Sequence, residues 1–272
     1  MQTVEVRILP GQPLSPWLGP RDEKAMSIET HEELEALRAI GRIVGRTLRE
    51  MARHVRPGIS TAELDAIGAK LLSAEGARSA PPIVYKFPGA VCISVNDEIV
   101  HGVPGGRRVA AGDLVKLDLT AEKDGYMADA AVTVPVAPAS EEATRLAACA
   151  ERAFQRGIRE ARANRRVCDI GAAVETEVKR SGFSVVRELC GHGIGRTIHE
   201  DPQVPNFWNP RQRQRLTDGL VITVEPIIAA GKGDAFLAPD GWTMKTVDHS
   251  LAAHYEHTIV ITKHAPILLT AA

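Results

Sequence analysis

Apolar residues recur at helical spacing early in the chain. Leu34, Leu37, Ile40, Val44, Leu48 and Met51 line one helix face, and a T-x-x-E capping box of Thr30 and Glu33 opens that helix. Pro57-Gly58 must end it. A second capping box, Ser60 to Glu63, opens a helix expected to run to about Gly76. The period then changes. Residues 91–95 (VCISV) and 98–101 read as strands, and "KLDLTAEKDGYMADAAVTVPV" reads as a hairpin turning at Asp124-Gly125. Helical spacing returns near Ser140 and again from about Asp169 to Ser181. The strand-like segments "FSVVREL", "LVITVEPII" and "YEHTIVIT" follow.

The order helix, helix, strands thus occurs twice, and segments 61–77 and 167–183 share an acid-Ile-Gly pattern with small offsets. An α+β fold of two related halves with no linker between them is expected. Residues 1–26, with four prolines, read as an extended lead-in segment, and 27–272 as one domain.

Composition narrows the setting. At 272 residues, 44% hydrophobic and 25% charged, the chain has the makeup of an ordinary globular protein. Its net charge of −1 gives no global attraction to DNA or to a membrane surface. No segment reaches about 18 consecutive apolar residues, and the N-terminus lacks the apolar core of a signal peptide. Cys92, Cys149, Cys168 and Cys190 are scattered without C-x-x-C spacing, so neither a disulfide framework nor a structural zinc site is indicated, and a reducing cytoplasm is expected. The run "RQRQR" (211–215) is basic. Such runs are usually solvated loops; a transient ribosome contact is the alternative.

The carboxylates carry the chemistry. A two-residue loop at Asp124-Gly125 sets Asp129 opposite Thr120, with Asp118 its diagonal neighbour on the same face; a four-residue loop sets Asp118 and Asp129 directly opposite. Both registers place two acids together among apolar residues, where a cation is the natural compensation. Chance acids on a solvated hairpin would explain that pair alone. Glu225 and Glu256, however, each interrupt a β-branched run, and His192 sits among the glycines of "CGHGIGRTIHE". Four carboxylates and one imidazole suit two divalent metals bridged by carboxylates, which act as Lewis acids and generate hydroxide near neutral pH. The set is too oxygen-rich for structural zinc. His192 and His199 stand seven residues apart with three glycines around and between them, each costing about 1 kcal/mol against Ala in a helix, which argues against a regular helix. The glycines are expected to let the backbone bend and pass close to the metals, so that both rings line one cavity.

These motifs, "VCISVNDEIVHGVP", the Asp118/Asp129 hairpin, "CGHGIGRTIHEDPQVPN", "TVEPII", "DGWTMKT" and "YEHTIV", occur in one order. From about Ser27 to its C-terminus the chain resembles the type I methionine aminopeptidases. That resemblance implies the pita-bread fold, two pseudo-symmetric halves with a curved antiparallel sheet covered by helices. It implies removal of the N-terminal methionine from peptides and nascent chains with a small second residue, by a monomer. It assigns a pair of divalent ions (Co²⁺, Mn²⁺, Fe²⁺ or Zn²⁺) to Asp118, Asp129, His192, Glu225 and Glu256, with Asp129 and Glu256 bridging. Glu225 is implied as the proton relay, and His101 and His199 as substrate-contacting histidines. The methionine pocket would fall on Tyr85, Cys92 and Trp242, with Phe87 beside them.

Four residues depart from the family pattern. Ala130 and Ala131 stand where small hydroxyl residues are common, Ile198 where an aromatic is common, and His254 where an amide is common. An X-Pro peptidase of prolidase type would keep the same five ligands, but usually with a further N-terminal domain. A catalytically dead binding protein would be expected to lose ligands, and all five are present.

Overall fold

The computed structural model describes residues 26–271. The lead-in segment expected over 1–26 therefore lies, apart from Met26, outside the described residues.

Both capping boxes form. Thr30 caps α1 (His31–His54) and Ser60 caps α2 (Thr61–Ala74), each hydroxyl accepting from the backbone N–H of the glutamate three residues on. The hairpin of Leu114–Lys123 and Tyr126–Pro135 closes through Asp124-Gly125, both at positive φ, and Thr120 pairs with Asp129. This is the tighter of the two registers the sequence allowed. Strand alternation then sorts the side chains. Val115, Leu117, Leu119, Ala121, Ala128 and Ala130 pack with Ile40, Val44, Leu48, Met51, Leu64 and Leu72 of the two helices. Asp118, Thr120, Asp129 and Ala131 have the opposite parity and face away from the helices.

The second half repeats the plan. After a one-turn helix, α3 (Ala80–Val84), whose second and third residues are prolines, come α4 (Glu141–Gly157), capped by Ser140, and α5 (Val167–Arg180). Ala150, Ala153, Phe154, Ile170, Val174 and Val178 of that pair pack against the sheet. The repeated glycines serve packing in both halves. A Cβ on Gly68 would meet Val91 and Met51, and one on Gly171 would meet the backbone oxygens of Phe207 and Pro205. The basic 211–215 loop has a structural task as well: Gln212 and Gln214 carbonyls accept from Cys168 and Val167 N–H groups, satisfying the start of α5.

A nine-stranded sheet joins the halves. Its strands run in the order Arg78–Ser79, Leu114–Lys123, Tyr126–Pro135, Glu256–Val260, Val221–Val224, Cys190–Gly193 and Glu200–Pro205, with Cys92–Val95 and Ile267–Leu268 attached at the side. Two segments differ from the sequence reading. "LVITVEPII" splits at Glu225-Pro226, where proline cannot donate to a ladder, so Ile227–Ala229 joins a small second sheet. "FSVVREL" pairs only over Ser184–Val185, and Arg187, Glu188 and Leu189 turn to line a cavity.

Candidate metal centre

Sheet register assembles the acids. Cys92 pairs with Asp118, Asp118 with Ala131, and Ala131 with Glu256. Since His257 pairs with Val224, the same register carried one residue on sets Glu256 against Glu225. Paired residues project to one face, and Asp129 shares it, two residues before Ala131. The small Ala131 side chain leaves open the middle of a row flanked by Asp118 and Glu256.

Hydroxyls and amides fix the acids. Thr120 Oγ1 donates to Asp129 Oδ2 at 2.7 Å, and Thr258 Oγ1 accepts from Asp129 N at 2.8 Å. Thr223 Oγ1 donates to Glu225 Oε1 at 3.0 Å and accepts from His192 N at 3.1 Å, while Asn206 Nδ2 donates to the Glu225 carbonyl at 2.8 Å. The sequence reading placed Thr120 opposite Asp129 but gave these four residues no role. For Thr120, Thr258 and Asn206 the partner lies on another element, so local pattern carries no signal; Thr223 stands two residues before Glu225, and that T-x-E spacing was the available signal.

His192 occupies a bulge, where the pairing register shifts between Gly191 and Gly193. A Cβ on Gly193 would lie 2.0 Å from the Asp201 carbonyl oxygen, and one on Gly191 2.6 Å from that of Thr223. These two glycines therefore allow neighbouring strands to close up, rather than bringing the backbone to a metal as expected from sequence. The expected juxtaposition of rings does occur: His192 and His199 centroids are 4.3 Å apart. His192 Nδ1 donates to the Gly193 carbonyl at 2.9 Å, leaving the Nε2 lone pair facing Glu225 Oε1 at 3.6 Å. Tyr85 O–H bonds to His199 Nδ1. The turn between the histidines is held by buried Glu200, which accepts from the N–H groups of Met26, Arg196 and Thr197.

Asp118, Asp129, His192, Glu225 and Glu256 line one cavity of about 360 Å³ together with Cys92, His101 and His199. His101 takes a left-handed backbone, φ 59°, at the end of its strand. Phe87 is buried behind the cavity wall, edge-on to Trp242 with centroids 5.4 Å apart, in a cluster with Cys92 and Tyr85. His254, noted above only as a departure, also lines the cavity.

Electrostatics define what this site lacks. Burial, reinforced by neighbouring carboxylates, pushes Asp118 and Glu256 well above the usual acid range. Burial raises Glu225 to about 7, against the pull of His192, and raises Asp129 against its bond from Thr120. Asp129 Oδ1 and Glu256 Oε1 are buried with no hydrogen-bond partner. One ligand atom each from Asp129, His192 and Glu256 lies within 4.8 Å of the others, and the same holds for Glu225, His254 and Glu256. Converging acceptors without donors fit a divalent cation.

A buried acid and imidazole centre beside a peptide-sized cavity, on a two-half sheet backed by helices, is the arrangement of a metallopeptidase. The chain belongs to metallopeptidase family M24, whose model matches residues 35–263. It is 45% identical over 247 residues to methionine aminopeptidase 2 of Bacillus subtilis strain 168, covering 90% of this chain and 99% of that one. The crystal structure of methionine aminopeptidase from Rickettsia prowazekii matches with a TM-score of 0.87 at 33% identity, over 91% of this chain and 100% of the other. Prolidase from Pyrococcus furiosus shares the fold, with a TM-score of 0.73 at 22% identity over 90% of this chain and 65% of that chain. The fold is the pita-bread fold expected from the sequence.

Proposed function

We infer that the chain is a metal-dependent methionine aminopeptidase, hydrolysing the peptide bond after the N-terminal methionine of peptides and nascent proteins whose second residue is small. The observation that carries this is 45% identity to a methionine aminopeptidase over nearly the full length of both chains. We propose that it is of type I. Supporting this, only short strands at Ile227–Ala229, Ala235–Leu237, Met244–Thr246 and Ala252–His254 intervene between Glu225 and Glu256.

The proposed holders of two divalent ions are Asp118, Asp129, His192, Glu225 and Glu256, with Asp129 and Glu256 shared. Bound there, the ions supply Lewis acidity and a nucleophile near neutral pH. Around them the chain's own groups orient substrate and move protons. With Tyr85 as the donor to His199 Nδ1, the neutral ring would carry its proton on Nε2, the tautomer that can donate to a substrate carbonyl oxygen. Glu225, steadied by Thr223 and Asn206, passes a proton to the leaving amine. His101, which lines the same cavity, contacts the substrate. Cys92 lines the cavity and clusters with Tyr85, Phe87 and Trp242, and this apolar corner is the proposed seat of a flexible, unbranched thioether.

We further propose that residues 27–272 act as one catalytic domain, in a monomer working in the cytoplasm, with the exposed 211–215 loop available for a transient ribosome contact. Among the described residues no helix is long and apolar enough to cross a membrane, and all four cysteines are free. The test is a substrate comparison on metal-loaded protein. Met-Ala-Ser should be cleaved, while Val-Ala-Ser and Ala-Pro are left nearly untouched. Preferential turnover of Ala-Pro would instead make this an X-Pro peptidase.

A further inference from the structure

His254 is the one histidine of the cavity to which neither the five-residue ligand set nor the substrate-contacting roles give a task. Its position is fixed by backbone. His254 N donates to Thr133 Oγ1 at 2.9 Å, Thr133 Oγ1 donates to the His254 carbonyl at 2.7 Å, and His254 pairs with Ile227 in the small sheet. Both strands change sheets here: the chain passes from Ile227 back to Glu225 across Pro226, and from His254 on to Glu256 across Tyr255. The two crossings lie side by side, and they bring His254, Glu225 and Glu256 to one point.

The imidazole at that point is 2% exposed, and neither of its nitrogens has a hydrogen-bond partner. Leaving such a polar ring unsatisfied in the interior is destabilising. Nε2 lies 3.6 Å from Glu225 Oε2 and 3.5 Å from Glu256 Oε2. Both separations exceed hydrogen-bond length. They match the edge of a coordination shell, since two ligand atoms bound at about 2.1 Å to one tetrahedral ion stand roughly 3.4 Å apart. A nitrogen set nearly equally far from two carboxylate oxygens, and beyond hydrogen-bond length of both, leaves room for a cation between them.

We propose that His254 is a direct metal ligand, a second imidazole that completes with Glu225 and Glu256 the coordination begun by His192. This assignment rests on the proposed function, in that it takes the centre to hold a divalent cation. It makes the centre richer in nitrogen than the four-carboxylate set alone, which shifts its preference toward metals that favour imidazole.

The test is pulsed electron paramagnetic resonance of the full-length protein loaded with one equivalent of Mn²⁺, beside calorimetric Mn²⁺ titrations of wild type, His254→Gln and His254→Ala. The expected wild-type spectrum shows two coupled imidazole nitrogens, and each variant shows one. The dissociation constant should rise in the variants on the order of 10- to 100-fold, as it does when even an outer partner of a metal ligand is removed. One imidazole coupling in the wild-type spectrum overturns the assignment, whether or not the variants fold. So does a nitrogen count that the substitutions leave unchanged, because affinity lost without a lost coupling would mean that His254 acts only through the carboxylates. Wild-type protein that releases methionine with Mn²⁺ yet shows a single imidazole overturns the ligand and leaves the functional reading standing. Absence of Mn²⁺ uptake by wild type overturns both.

Discussion

Loading the centre with metal should expel protons. Glu225 is raised to about 7 by burial, and burial with the neighbouring carboxylates pushes Asp118 and Glu256 well above the usual acid range. With a midpoint near 7, Glu225 alone carries about 0.9 proton at pH 6 and about 0.1 at pH 8. A ligating carboxylate must give up that proton. Metal-stripped protein should therefore release roughly one proton or more per chain when Mn²⁺ is added at pH 6, with Asp118 and Glu256 adding to the count. Affinity should improve about tenfold per pH unit for each proton released. The acids titrate as a set, so the count belongs to the centre rather than to one residue. Calorimetric titrations in buffers of different ionisation enthalpy measure it directly. A binding heat independent of buffer at pH 6 would refute the reasoning. Melting temperature is a less direct readout because opposing groups contribute. The raised carboxylates make the metal-free fold lose stability as pH rises from the ordinary 4.5 through about 7. Buried His101, lowered to about 3, and His254 and His257, lowered to about 4, act the other way: their contribution is present above 6.5 and lost as pH falls toward those values.

The two histidines of the glycine-rich segment should separate on substitution. His192→Ala is expected to lose metal and activity together, whereas His199→Ala keeps near-normal metal content while kcat falls about 100- to 1000-fold, the usual cost of one lost donor to a developing oxyanion. Equal metal loss in both variants, read by calorimetry, would make both histidines ligands. Gly193→Ala should cost on the order of 3 kcal/mol or more, because the new Cβ would lie 2.0 Å from the Asp201 backbone oxygen. Gly106→Ala, where a Cβ meets nothing within 4 Å, should melt with wild type; similar melting temperatures for the two variants would contradict the strand-closure role.

What was legible in the sequence follows from how local each signal is. Thr30 and Ser60 announce their helices because the caps and their partners lie within one turn. Alternation in the Leu114–Lys123 hairpin placed Asp118 and Asp129 on one face, and the acids at 225 and 256 stood out against β-branched neighbours. The choice between two hairpin registers needed the structure, since both loops are chemically allowed. Strands Cys190–Gly193 and Glu200–Pro205 carry glycine, histidine and proline in place of a period, so they were legible as chemistry and not as strands. The bond from Tyr85 to His199, the clamp from Thr258 on Asp129, and the approach of His254 to Glu225 all join separate elements. Nothing within a few residues of any of them encodes the partner.

The account stands most directly on one measurement: free methionine released from Met-Ala-Ser by protein stripped of metal, verified by elemental analysis, and then reloaded with Mn²⁺ or Co²⁺. The cavity of converging, partnerless acceptors predicts no release from the stripped protein and full recovery on reloading. Methionine released at the full rate by verified metal-free protein would contradict it.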